Sequence, residues 1–567
     1  MKRNTYILTL LTATLSLTSC EKEFLDKEPL STISNASFWS TEKDVYLALN
    51  GCYAYLDGGD GVIYGDGATD NAHAQYPWES ISGLIASGDV SPSSESPKDY
   101  AFVAFNQGWD FISVGRCNYL LENIDKVSFK DNALKERYKA EARFLRAFRY
   151  FNMISTYGDV PLILKTLTTD EAKQVTREKE ATVLAFVLKE LEETSSLLPA
   201  SYSGGFANEK GRITKGAALA LKARVHLYYG QWDKAAEAAQ QVMGMGYQLF
   251  KVNSESDADK LDNYDNWVDF TNDADRQKFR LGIRSYEQLF YAVNEGNSEV
   301  ILDRQYMAGE AWGSTVNGLY TLLGTDAQSG WSSVAPTQEL VNAYLMKDGR
   351  VPTAISPATR ATRYKARQTD PAFYNEYKNR DPRFYATIQF EGNPWAAIQS
   401  GYVFEWVKGG NNCSQTGYNF RKLVDPTETV RDWSGNNNVI LIRYAEILLT
   451  YAEAKNELSG PDAIIYDALD KIRERVDMPL IDRTTYNTKE SLRSLIRNER
   501  RVELALEGHR YFDIRRWGIG ENVMKTIVNL ENETVEPRAW YDKLMKLPVP
   551  QSQIDLAPGL KPNNTGY

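Results

Sequence analysis

The sequence predicts a mostly α-helical protein, a scaffold of paired helices interrupted by two long irregular inserts. Three observations predict it. Apolar residues recur at helical spacing in stretch after stretch of the first and last parts of the chain. Small residues sit where paired helices would touch. Segments 57–100 and 250–440 lose that spacing and fill instead with Gly, Ser, Asp and Asn, with half of the Trp in the second.

The chain begins Met1-Lys2-Arg3, runs apolar from Tyr6 to Leu17, and reaches Leu17-Thr18-Ser19-Cys20. A basic start and a short apolar run read as a secretory signal, too short to span a membrane. Leu17 three residues before Cys20 resembles a bacterial lipobox. Residues 1–19 are then a signal peptide, and Cys20 is the lipidation site and membrane anchor. Of 65 basic residues, Lys2 and Arg3 leave with the signal, so 63 face 75 acidic ones in the mature chain. That balance argues against nucleic-acid binding, which needs clustered Lys and Arg. Glu21-Lys22-Glu23 onward resembles a surface-export signal and equally an ordinary tether, here taken as 20–40.

An N-terminal helical scaffold spans 41–250. Thr41 can cap a helix over 41–56, with Val45, Leu49 and Cys52 on its buried side. Helices follow at about 105–125, 132–157, 181–198, 214–229 and 232–245. Residues 57–100, with Gly58-Gly59, Gly65, Gly67, Pro92 and Pro97, read as a long loop. Residues 251–439 form the second irregular insert. Helices resume at 440–458, 461–476 and 489–507, and 440–567 closes the same single domain. Ala223, Gly230, Trp232, Ala235 and Ala239 resemble the tetratricopeptide helix–turn–helix. Tyr444-Ala445-Glu446 recurs as Tyr451-Ala452-Glu453, two turns on, so both Ala share one face.

Chemistry-bearing groups are sparse. Three His and four Cys, with no CxxC and no HExxH, offer no metal site. Arg143 and Arg146 read as either an anion site or ties to carboxylates on neighbouring helices; the second is preferred. Glu499, Glu503, Glu507 and His509 lie on a charged helix and read as a salt-bridge lattice. Asp257, Asp259, Asp262, Asp265 and Asp269 lack the calcium-loop pattern and read as a solvated acidic loop.

Several blocks together resemble the SusD/RagB family of surface nutrient-binding lipoproteins. They are Ser37-Phe38-Trp39, Arg116-Cys117-Asn118, Glu141 to Phe151 with Tyr157-Gly158-Asp159-Val160-Pro161, Ile442 to Glu446, Leu495 to Gly518, and the Pro-rich ending Leu547 to Tyr567. The resemblance covers the chain in family order. It implies tetratricopeptide-like helix pairs in a right-handed superhelical scaffold with the inserts on the ligand side. It implies no catalysis; from the residues no cofactor and no metal are expected, a calcium ion on the acidic run being the less favoured alternative. Its implied partners are an oligosaccharide ligand and a TonB-dependent outer-membrane transporter, with the protein lipid-anchored and facing the cell exterior. The Pro-rich ending is expected to pack as an extended tail, not a helix.

Sugars lay C–H faces on Trp and Tyr rings and hydrogen-bond through their hydroxyls. With 34 Tyr and 12 Trp the chain is rich in such rings. The first loop offers Asp66, Asp70, Asn71, Tyr76 and Trp78. The second insert offers Trp267, Trp312, Tyr320, Trp331, Trp395, Trp406 and Trp433. The expected ligand residues are Asp70, Asn71, Trp78, Trp312, Tyr320 and Trp331. For any single Trp, packing inside the insert is the commoner role. A peptide binder on the same scaffold is the next reading; a secreted glycosidase with a carboxylate pair is the third.

Overall fold

The computed structural model describes residues 38–94, 108–202, 209–306, 317–426 and 435–567. Cys20, Trp312 and Trp433 lie outside the described residues. About half of the chain is helical, at 51%, with few and short strands.

Helices α1 (Glu42–Tyr53), α2 (Gly59–Gly67) and α3 (Ser82–Ser87) flank strand β1 (Ala72–Ala74). Helices α4 (Phe111–Asn123), α5 (Asn132–Tyr157), α6 (Glu180–Leu197), α7 (Lys215–Tyr228) and α8 (Trp232–Met243) follow. The second insert contains α9 (Asp273–Glu287), β2 (Val300–Arg304), α10 (Leu319–Leu323), β3 (Val334–Pro336), α11 (Pro357–Ala366), α12 (Pro382–Thr387), β4 (Ile388–Gln389) and β5 (Asn419–Phe420). The chain closes with β6 (Val439–Arg443), α13 (Tyr444–Ser459), α14 (Ala463–Arg475), α15 (Lys489–Glu503), α16 (Arg510–Trp517), β7 (Ile527–Val528) and β8 (Thr534–Glu536).

The scaffold is built by neighbours in sequence packing as neighbours in space. α4, α5, α6, α7 and α8 stack in order, and α8 then meets α13, which packs on α14 and α15. Small residues allow the close approach: Ala217, Ala220, Ala223, Ala235, Ala239, Ala445 and Ala452 are fully buried. Gly230 takes φ +66 in the link between α7 and α8, and the Trp232 ring lies 3.5 Å from where a Cβ would stand.

The two glutamates of the recurring Tyr-Ala-Glu triplets bind arginines from other elements. Arg224 donates to Glu446 at 2.7 Å, and Arg516 donates to Glu453 at 2.5 and 2.7 Å. The Arg row of α5 does tie helices together: Arg143 and Arg146 both reach Glu190 of α6. Gly158 ends α5 at φ +75, where its N–H still reaches Ile154 O at 3.0 Å.

The apolar interior forms two principal clusters, one within the stacked helices and one beneath the inserts. Between them the charges of α15 are neutralised from outside the helix. Glu503 accepts from Arg443 at 2.7 Å, from Arg383 at 3.1 Å and from Arg475. Glu499 takes Arg383 and Arg473, and Glu507 takes Arg443 and Lys422. Burial alone would raise the Glu503 pKa; three guanidiniums outweigh it and hold the carboxyl below its ordinary value. The lattice reading stands, and its partners come from α12, β6 and α14 and, for Glu507, from Lys422 just past β5.

Four expectations need correction. Residues 57–100 are not one loop: α2, β1 and α3 lie within them. Gly costs helix propensity, but in α2 it permits tight packing, with Leu319 Cγ 2.7 Å from a Cβ at Gly59. The second insert holds a fifteen-residue helix, α9, capped by Asn272. The acidic run is not simply solvated: Asp259 and Asp262 are buried and both bind Arg284 at 2.8 Å. The ending includes a short helix over Gln551–Leu556, because Pro550 at its N-cap gives up no intrahelical N–H. Beyond it the tail is tied down, as Asn564 Nδ2 donates to Tyr157 O at 2.8 Å.

Candidate ligand-binding site

Four chain segments converge beside the insert core. β1 pairs antiparallel with β3, Ala72 opposite Pro336 and His73 opposite Ala335. The pairing continues as Gln75 N–H donates to Ser333 O at 2.9 Å. That places residues 75–78 next to Trp331. The third segment is the loop around Asn411 to Gln415, and the fourth is the β7–β8 hairpin.

Side chains lock the segments. Gln75 Nε2 donates to Trp331 O at 3.2 Å, and Gln75 Oε1 accepts from Gln415 N–H at 3.2 Å. The Tyr76 hydroxyl lies 3.2 Å from Trp331 O and 3.3 Å from Asn412 Oδ1, so its one proton bridges either way. His73 sits between Gln415 Oε1 and Glu536 Oε2, each at 3.1 Å. Asn411 Nδ2 donates to Asp326 Oδ1 at 3.1 Å, joining two loop tips.

On this frame stands an aromatic surface. Tyr76 and Trp78 stack with ring centroids 5.0 Å apart and planes inclined by 26°. Trp78 is 51% exposed, an unusual state for an indole. Trp331 is half-buried, its carbonyl meets the Tyr76 hydroxyl, and its backbone N–H donates to Thr321 O at 2.6 Å. Tyr320, also half-buried, precedes Thr321 on α10. The loops around these rings carry non-glycine residues in the left-handed region: Ser329 at φ 59, Ser332 at φ 50 and Asn412 at φ 49. Such conformations persist only where surrounding bonds over-determine them. Here Ser332 N–H donates to Gly324 O at 2.9 Å and Cys413 N–H to Gly410 O at 3.3 Å. The loops around the rings are thus tied by their own backbone bonds.

Of the six expected ligand residues, the structure brings Trp78, Tyr320 and Trp331 to this one region. Trp312 lies outside the described residues. Asp70 and Asn71 are corrections, since both side chains are buried behind the patch. Asp70 accepts from Arg510 at 2.8 and 2.9 Å and pairs with Arg501 at 2.8 Å. Burial would raise its pKa, but the two guanidiniums win and hold it at about 2. Asn71 Oδ1 accepts from Arg501 Nε at 2.8 Å. These residues fasten the first insert to α15 and α16 and present nothing to solvent. Among the remaining insert tryptophans, Trp267, Trp395 and Trp406 are core residues.

Sequence reasoning missed Asn411, Asn412 and Asp326, and named Tyr76 without choosing it. A signal existed: Gly409-Gly410-Asn411-Asn412 is a turn sequence carrying side chains able to serve as sugar donors and acceptors.

Exposed stacked rings edged by amides on rigid loops, held up by a helical scaffold, define a binding protein for planar or ring-faced ligands. The comparisons with known proteins agree. A family model described as the SusD family matches residues 287–567, and one described as starch-binding associating with outer membrane matches residues 23–227. A SusD-like protein from Bacteroides fragilis superposes with a TM-score of 0.77 at 31% identity, over 95% of this chain and 100% of that one. A SusD-like carbohydrate binding protein from the same species gives 0.74 at 27%, over 92% and 100%. The starch-binding protein SusD of Bacteroides thetaiotaomicron is 25% identical over 498 residues, 84% of this chain and 80% of that one. The chain belongs to the SusD family, whose members are glycan-binding, outer-membrane-associated surface proteins and not enzymes.

Proposed function

We propose that this protein captures a glycan at the cell surface and passes it to a partner TonB-dependent outer-membrane transporter. Cys20, acylated after removal of residues 1–19, is its anchor. The observation that carries the reading is the Tyr76–Trp78 stack, with Trp78 half exposed and the Tyr76 hydroxyl on the Trp331 carbonyl. A sugar ring laid on Trp78 loses water from its C–H face, while Asn411, Asn412 and Gln415 are placed to bond hydroxyls. Loops on a rigid frame are where such sites are commonly built. Family membership supports the carbohydrate class.

The test is affinity electrophoresis of the purified protein through gels containing single polysaccharides, with reducing-end assays alongside. Retardation by at least one polysaccharide without release of reducing ends is the expected result. Binding of oligopeptides and of no polysaccharide would overturn the glycan reading. Released reducing ends would overturn the capture-only reading.

A further inference from the structure

The charge around the patch separates one class of glycan from another. The four segments that build it are residues 73–79, 320–332, 402–417 and 527–538. They carry six carboxylates (Glu79, Asp326, Glu405, Glu531, Glu533 and Glu536) against two cations, Lys408 and Arg538. Arg538 is closed to a ligand, and Lys408, though 42% exposed, is already paired with carboxylates. Arg538 has 0% of its side chain exposed; it bonds Glu536 at 2.8 Å and Ala72 O at 2.7 Å. Lys408 is clamped between Glu531 at 2.5 Å and Glu533 at 2.6 Å. His73 is buried and spans Gln415 and Glu536.

An anionic ligand therefore finds no unpaired positive charge among the described residues of these segments. It would lose hydration without gaining the charge-assisted bonds that normally recognise carboxylate and sulfate. It would also approach a patch whose net charge has its own sign. Five of the six carboxylates are engaged as well: Asp326 by Asn411, Glu536 by His73 and Arg538, Glu79 by Tyr64 and Ser333, and Glu531 and Glu533 by Lys408. What the patch offers is ring faces and uncharged amides, from Asn411, Asn412 and Gln415.

We infer that the ligand of this site is an uncharged glycan, one without uronate, sulfate or phosphate groups. This rests on the capture reading above and narrows it. It also predicts a salt signature, because binding by stacking and neutral hydrogen bonds is not screened by ions.

The test is a matched panel on the full-length purified protein and its Trp78→Ala variant. Neutral probes are laminarin, pullulan, galactomannan and arabinoxylan. Anionic probes are alginate, polygalacturonate, carrageenan and chondroitin sulfate. Affinity electrophoresis and calorimetry are run at 20 and 500 mM NaCl. The inference expects a neutral binder, weakened about tenfold or more by Trp78→Ala and changed less than about twofold by salt. An anionic binder that is lost in Trp78→Ala and weakened by salt would overturn the charge inference and leave glycan capture standing. A panel with no binder, beside a peptide that does bind, would overturn both. A neutral binder indifferent to Trp78→Ala would overturn the assignment to this patch.

Discussion

Tyr76 and Trp78 stack at 5.0 Å with only Pro77 between them, so one short segment presents two rings as one platform. A tight turn, closed by Glu79 N–H donating to Tyr76 O at 3.1 Å, brings the two rings together, and Pro77 restricts the backbone at its second position. The Tyr76 hydroxyl, held at Trp331 O and Asn412 Oδ1, fixes the platform's tilt.

Trp78 is half exposed and buries little in the free protein, so its loss is expected to spare the fold. Trp78→Ala should weaken glycan binding about tenfold or more, equivalent to ~1.4 kcal/mol or above. The melting temperature should stay within about 2 °C of the parent. Calorimetry against the tightest polysaccharide, with a thermal melt of each protein, checks both.

Glu503 is fully buried and serves three guanidiniums, from Arg383, Arg443 and Arg475. Removing its charge leaves buried cations under-neutralised. Glu503→Gln should cost about 3–5 kcal/mol of stability. Equilibrium urea unfolding is the readout; a variant as stable as the parent would show the lattice to be dispensable.

Asp66 shows the opposite electrostatics. Burial pushes its carboxyl up to about 7, although Leu506 N–H donates to it. A carboxyl whose folded pKa exceeds its unfolded value of 3.8 stabilises below that value and loses the contribution as pH rises through about 7. Asp66→Asn, which cannot ionise, should therefore gain stability relative to the parent as pH goes from 4 to 8. On the acid side, Asp70 acts in reverse: its contribution is full above 3.8 and lost as pH falls through about 2. Urea midpoints of parent and Asp66→Asn across pH 4–8 test the sign.

Two helical glycines should respond oppositely to alanine. A Cβ at Gly282 in α9 would stand 2.7 Å from Val476 O and 2.8 Å from Val476 C, both backbone atoms that cannot swing away. Gly282→Ala should cost about 1–3 kcal/mol. Gly61 in α2 has nothing within 4 Å of its Cβ position. Gly61→Ala should be neutral or stabilise by up to about 1 kcal/mol, the difference in helix propensity. Urea unfolding of the two variants side by side is the check.

The scaffold was legible because its signals are local. Ala223, Gly230 and Trp232 lie within ten residues of one another, and their contacts need nothing from elsewhere. The site was half legible. Trp78 and Trp331 could be chosen because a Trp in a polar, Gly-rich stretch has few local partners to bury it. Asp70 and Asn71 look the same in sequence, but Arg501 and Arg510, more than four hundred residues on, pull them inside. Trp395 was equally opaque: Arg421, 26 residues later, lies over its ring at 4.7 Å in the core. Helix α9 was hidden because four of its fifteen residues are basic, three of them arginine, and Arg284 is buried against Asp259, Asp262 and Glu287. Its apolar stripe is short, Phe279, Ile283 and Tyr286, and Arg284 and Glu287 share the buried face.

The most direct test of the account is a crystal structure of the protein with its tightest-binding polysaccharide fragment. The account predicts a sugar ring flat on Trp78, within about 4 Å of the indole, with hydroxyls bonded to Asn411 or Asn412. A sugar bound elsewhere, with the Tyr76–Trp78 platform bare, would contradict it.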